Sequence, residues 1–190
     1  GTALTHGADK GESISQLEQI PVTQTTWAEW KSRFPNTLVL DRNTGYKRPY
    51  EDPSPYFMHF TSGKDWFPVD VIQETQEGQN DRAMIYGILL NNKAKAFPMA
   101  ELSEKKVVND TLNGVNLVLI TDKESGSIRV YLRDQYLFST YKKFEIKDQE
   151  GHSWHVAENE LQKEGTDEHL RRIPGQRAFL TTWFTWYPES

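Results

Sequence analysis

The sequence predicts an α+β fold, predominantly antiparallel β with a few short helices, forming part of a tandem duplicated domain. Three observations carry that expectation. "AMIYGILLNNKAKAFP" and "VNLVLITDKESGSIRVYL" each hold two apolar runs around a polar turn, the signature of a hairpin. "TTWAEWKSRFP" and "LTTWFTWYP" place aromatic residues at helical spacing and stop at a proline. The surroundings of these two helices also repeat one another at long range.

The repeat comes first in chain order. "LEQIPVTQTTWAEWKSRFPNT" from Leu17 aligns without gaps with "LRRIPGQRAFLTTWFTWYPES" from Leu170. An offset of 153 pairs Ile20 with Ile173, Pro21 with Pro174, Trp30 with Trp183, Phe34 with Tyr187, Pro35 with Pro188 and Thr37 with Ser190. A period this long suits a duplicated domain rather than a solenoid. On that basis residues 1–40 are the end of a first copy, 41–80 are a long connecting loop, and 81–190 are a second copy packed with 1–80 as one unit. The chain opens "GTALTHG" without an initiator Met and reads as a processed product or a piece of something longer.

In the first helix Thr26 is placed to cap, and Glu29 three residues on completes a capping box. Trp27, Trp30 and Phe34 share a face, as Phe179, Trp183 and Trp186 do in the second helix. Core packing is the plain reading of these rings, and a sugar-stacking platform (Trp27, Trp66, Trp186) is the sharper one. "NTLVLDR" is expected to close the first segment as a strand with an open edge. "RNTGYKRPYEDPSPYFMHFTSGKDWFP" is too rich in Pro and Gly for regular structure. The first hairpin turns at Asn91-Asn92 and the second between Asp122 and Ser127. Further strands are expected at Tyr136–Tyr141, Phe144–Lys147 and Trp154–Val156.

Composition narrows the function classes. With 190 residues, 36% hydrophobic and 26% charged, the chain has material for a core under a polar surface. A net charge of −5 and no basic run longer than "EKK" argue against nucleic acid, which demands concentrated Lys and Arg. No apolar stretch approaches the roughly 20 residues of a membrane span. The absence of cysteine removes disulfides and thiol chemistry from this chain. No catalytic residue and no cofactor motif is found.

The phrases "PVTQTTWAEWKSRFPNTLVLDRNTGYKRPY", "NNKAKAFPMAEL", "VVNDTLNGVNLVLI" and "ESGSIRVY" together resemble the bacterial and archaeal family catalogued as domain of unknown function 3179. The resemblance covers nearly the whole chain, and "VVNDT" and the Thr-Thr-Trp-x-x-Trp helix are its most specific parts. It implies an exported, extracytoplasmic protein (periplasmic, cell-surface or secreted) made of two related copies, without implying an activity. In the family's first copy, the strand matching Val115–Thr121 runs into a Cys-Pro-Leu-Cys-Gly turn suited to redox or soft-metal chemistry. Here that turn reads "DKESG", with Asp122 and Ser125 at the cysteine positions. The resemblance therefore implies that any such chemistry belongs to the missing copy.

The ligand-binding candidates are Tyr46, Lys47, Arg48 and Tyr50, a basic pair between aromatics, together with Asn109, Asp110 and Arg129. They would suit a small anionic or sugar ligand. His152 and His155 in "GHSWH" are weak metal candidates, with Glu158, Glu160 or His169 as a third ligand. Leu17, Ile20, Trp27 and Trp30 would form an apolar patch needing cover from the second copy, from the missing N-terminal copy or from another chain. The first expectation for function is a structural or ligand-binding part of a larger assembly. A redox- or metal-linked enzyme is the alternative, and a carbohydrate-binding module the weaker one.

Overall fold

The computed structural model describes residues 19–41, 43–46 and 83–190. Leu17, Trp66 and nearly all of the 41–80 loop lie outside them. The described elements are helix α1 (Trp27–Arg33), strands β1 (Met84–Leu90) and β2 (Lys93–Pro98), helix α2 (Met99–Lys105), and strands β3 (Val107–Leu112), β4 (Val115–Thr121) and β5 (Ile128–Leu132). There follow β6 (Phe138–Lys142), β7 (Glu145–Asp148), β8 (Ser153–Val156), β9 (Glu160–Lys163), β10 (His169–Ile173), β11 (Gln176–Phe179) and helix α3 (Leu180–Trp186). All neighbouring strands pair antiparallel, as the fold class predicts.

Both predicted hairpins form: β1 turns into β2 at Asn91 (φ 50°) and Asn92 (φ 60°), and β4 pairs with β5 across the 122–127 turn. A further hairpin joins β3 to β4 through Asn113 (φ 50°) and Gly114 (φ 77°), residues that, like Asn91 and Asn92, enter the left-handed region at low cost. The strands assemble as a small sheet, β11-β1-β2, and a large one, β3-β4-β5-β10-β9-β8-β7-β6. The large sheet curls until its two end strands meet. There the Asn109 side chain accepts a bond from the Phe138 N–H at 2.9 Å and donates one to the Phe138 carbonyl at 2.7 Å. One amide thus does the work of a peptide group and staples the seam of a barrel.

Alternation along β4 shows how two cores are built from one apolar run. Val118 and Ile120 point into the barrel with Tyr131, Phe138, Ile146, Trp154, Val156, Leu161 and Leu170. Leu117 and Leu119 point outward, onto Tyr86, Ile88, Phe97, Leu102, Val130 and Ile173 of the layer formed with the small sheet and α2. A strand buried on both faces reads as continuously hydrophobic, as "VNLVLI" does. Trp154 is the centrepiece of the barrel, in edge-on contact with Tyr136 (4.9 Å between ring centroids) and Phe138 (5.6 Å). The tryptophan helices, expected to supply the hydrophobic centre, lie outside it instead.

α3 covers the outer face of the small sheet. Its Trp183 is only 2% exposed and lies so close over Gly87 that a Cβ there would come within 2.1 Å of the ring. Ile85 and Leu180, with Ala94, Ala96 and Ala178 around them, complete this third cluster. Trp186 departs from its expected core role and is 76% exposed.

α1 and α3 share their local geometry. Each follows an extended cap residue (Thr26, ψ 151°; Phe179, ψ 142°) and ends in a similar conformation at Phe34 (φ −128°, ψ 71°) and Tyr187 (φ −135°, ψ 68°). Trp30 and Phe34 stack at 4.5 Å and 41°, Trp183 and Tyr187 at 4.6 Å and 43°. Each tryptophan Nε1–H donates seven residues on, Trp30 to Thr37 Oγ1 at 2.9 Å and Trp183 to Ser190 Oγ at 2.7 Å. Their surroundings differ. Trp27 is 53% and Ile20 74% exposed while Trp30 is half-buried, so of the predicted apolar patch Ile20 and Trp27 are left largely uncovered by the described residues. "NTLVLDR" forms no strand, and Leu38 and Leu40 are almost fully exposed. Among the described residues no strand lies beside it for its alternation to fold against.

Candidate functional site

Two strands carry an arginine on their barrel-facing side at one end of the barrel. In β5, Arg129 sits opposite Ile120, and in β10, Arg172 sits opposite Tyr131. Both are buried, and a buried guanidinium needs a carboxylate. Glu158, in the β8–β9 turn, serves both. Its Oε1 accepts from Arg129 Nη2 at 2.7 Å and Nε at 3.0 Å, and its Oε2 from Arg172 Nη1 at 2.8 Å.

α1 closes over this end and adds a second layer. Thr26 caps the helix through the Glu29 N–H at 3.3 Å. The Glu29 carboxylate does not return to the Thr26 N–H as a capping box requires. It bonds the Thr25 hydroxyl and Arg129 Nη2, the latter at 3.0 Å, because an unneutralised guanidinium is the stronger donor. Arg33, one turn on, reaches Glu158 Oε1 at 2.7 Å and the Val156 carbonyl at 2.6 Å. Its guanidinium also lies 4.3 Å from the Phe144 ring centroid. Arg172 holds the extended lead-in through the Val22 carbonyl at 3.0 Å and Thr23 Oγ1 at 2.8 Å.

Three guanidiniums therefore share two carboxylates below the surface. Burial pulls the Glu158 carboxyl upward, but the bonds from Arg129 and Thr23 and the positive field of Arg129 and Arg33 outweigh it, leaving its pKa below the ordinary value. Burial likewise pushes the Tyr131 phenol far up; its hydroxyl donates to the Ala157 carbonyl at 2.6 Å. Neither the Glu158 carboxyl nor the Tyr131 phenol is poised between protonation states near neutrality, as an acid–base catalyst is.

Beside α1 a cleft of about 810 Å³ opens between Glu29, Ser32, the 122–125 turn, Tyr141 and Phe144. Lys106, Lys123, Lys142 and Lys143 line it, and the buried Thr121 hydroxyl on its wall has no hydrogen-bond partner among the described residues. Burial pushes the Tyr141 phenol up to about 12. The turn is bonded mainly within itself. Asp122 Oδ1 accepts from the Glu124 N–H at 3.0 Å, the Ser125 N–H at 2.9 Å and Ser125 Oγ at 3.0 Å.

The remaining sequence candidates are dispersed. Asn109 faces the seam and Asp110 the opposite side, where it pairs with Lys95 Nζ at 2.7 Å. Tyr46 is exposed, and Lys47, Arg48 and Tyr50 lie outside the described residues. His152 Nδ1 lies 3.2 Å from the buried Asp148 carboxylate. That carboxylate also accepts from Trp154 Nε1 and from the Glu150 and His152 N–H groups, each at 3.0 Å. "GHSWH" thus fixes a core tryptophan. His155 lies on the outer face of the barrel in a row with Gln162 and His169. Among the described residues no three of His, Cys, Asp and Glu gather as a metal site.

Of the ligand-binding candidates among the described residues, Arg129 belongs to the buried charge cluster, and so does Glu158, offered as a third metal ligand. Arg172 was readable only as an arginine at a core-facing strand position in "HLRRI", Glu29 only as a capping-box residue and Arg33 only as a helix-surface charge. No curated protein and no solved structure matches the chain. A family model described as "Protein of unknown function (DUF3179)" matches residues 2–190. The chain, Trp-x-x-Trp helix and "VVNDT" strand included, belongs to that family.

Proposed function

We propose that this chain is a non-catalytic structural part of an extracytoplasmic protein, built of two related copies and working as a subunit of a larger assembly. The observation that carries this is the charge cluster at the barrel end. Each of its carboxylates and guanidiniums is engaged in latching the α1 segment to the barrel, so none of the cluster's own charged groups is left free for a substrate. The shared geometry of α1 and α3 supports the two-copy reading, and the self-bonded turn at Asp122 and Ser125 supports placing any redox chemistry elsewhere.

A second reading, binding of a small anionic ligand, is favoured by the lysines of the cleft and by its Thr121 hydroxyl, unpartnered among the described residues. Native mass spectrometry of the intact protein isolated from its own cell separates these readings. The structural reading expects no stoichiometric metal or small molecule. One small ligand per chain overturns it in favour of the cleft, and one metal per chain in favour of the redox alternative. Fractionation should place the protein outside the cytoplasm.

A further inference from the structure

The aromatic face of α1 repeats the aromatic face of α3, and inside this chain α3 shows what that face is made to sit on. Trp183 rests on a mid-strand glycine, Gly87. The glycine pairs with Ala96 on β2, and Ala94 and Ala178 pack in the same cluster as Trp183, so the ring lies on a floor of small side chains. The strand leading into α3, β11, is itself the edge of that sheet. At the 153-residue offset its counterpart is Thr23–Thr26, where side-chain exposure alternates residue by residue as in a strand. Thr26, the α1 cap, has the extended backbone of a strand end.

From this we infer that α1 and residues 23–26 form a docking surface for a three-stranded antiparallel sheet of the β11-β1-β2 kind. Residues 23–26 add as its edge strand, and the Trp30 ring seats on a mid-strand glycine flanked by alanines. The surface is continuous with the interface by which Glu29 and Arg33 hold α1 to the barrel. At about 3.6 residues per turn Glu29 and Arg33 lie on a different face of α1 from Trp27 and Trp30, so both contacts are made together. α1 is then a joint, with one face gripping this barrel and the other gripping a second sheet. On α3 the positions matching Glu29 and Arg33 are Thr182 and Trp186, both exposed. α3 thus has the sheet-binding face without the charged one. A sugar platform would also leave rings uncovered, but it does not account for the matched ring pair, the matched Nε1 bond or the strand-like lead-in.

The inference rests on the structural reading above, and its test is separate from the mass measurement that decides that reading. The chain supplies the probe, since its own small sheet is a seat of the required kind. Replacing residues 180–190 with the sequence of residues 27–37 puts the α1 face on that seat. The chimera should melt within about 3 °C of the parent, whereas Trp183→Ala loses about 10 °C. Gly87→Ala should depress the chimera and the parent alike. A chimera as unstable as Trp183→Ala overturns the proposal. In the intact protein isolated from its own cell, p-benzoylphenylalanine at position 30 should cross-link to a glycine-bearing strand. Cross-links only to helices, lipid or glycan, or none at all, overturn it as well.

Discussion

Glu158 is the residue on which the most depends. It is the shared carboxylate of Arg33, Arg129 and Arg172, and removing it leaves three buried guanidiniums with Glu29 alone. Breaking a buried ion pair from one side costs about 3–5 kcal/mol, so Glu158→Gln should lower the unfolding free energy in urea by that order. The carboxyl also imposes a pH dependence with a definite sign. Its folded pKa is depressed, so its stabilisation is complete above the ordinary carboxylate value of about 4.3 and drains away as pH falls through the lower folded value. Asp148, lowered by the bond from Trp154 and two backbone N–H groups against the upward pull of burial, acts in the same direction. Melting curves between pH 6 and 3 should show a steep acid loss, shallower in Glu158→Gln. An acid limb identical in the variant would mean that Glu158 is not the group being titrated.

At the scale of elements, the seam and the turns test how the barrel closes. Asn109→Leu removes both partners of the Phe138 peptide group. That should cost about 1–3 kcal/mol, with amide exchange accelerated at Phe138 before the rest of β6. The β6–β7 turn places Lys143 (φ 49°) and Phe144 (φ 67°) in the left-handed region, which bulky side chains resist. Phe144 is held there beneath Arg33. Lys143→Asn supplies the residue such a turn favours and should raise the melting temperature by a few degrees. These elements differ in how legible they were in sequence. Hairpins β1–β2 and β4–β5 announce themselves, because two apolar runs flank strong turn formers. α2, β9, β10 and β11 do not. "ELQK" has a single apolar residue and "HLRRI" carries an arginine at a core-facing position, so the binary pattern fails where the charge cluster overrides it. The cluster was hidden for the same reason. A glutamate in a turn and an arginine in a strand look like surface until the barrel brings them together.

For the whole molecule, the barrel and α1 are coupled by charge rather than by apolar burial. No residue of α1 is fully buried, and no α1 side chain belongs to the barrel core. The helix is held by Glu29 and Arg33 on Arg129 and Glu158 and by the Arg33–Phe144 contact. Even without α1, Glu158 keeps Arg129 and Arg172 paired. The charged contact can therefore open locally without taking the barrel with it. Arg33→Ala in the full chain should expose the bond after Lys31 to trypsin at least tenfold faster at neutral pH. Trp154, sealed in the barrel, should keep its fluorescence and its melting transition within a few degrees of the parent. Raising the salt concentration should act only weakly on the parent, because the pairs lie below the surface and screening reaches mainly exposed charges. Cleavage in step with loss of the Trp154 signal would show instead that α1 and barrel unfold as one unit, and the joint would then be part of the core.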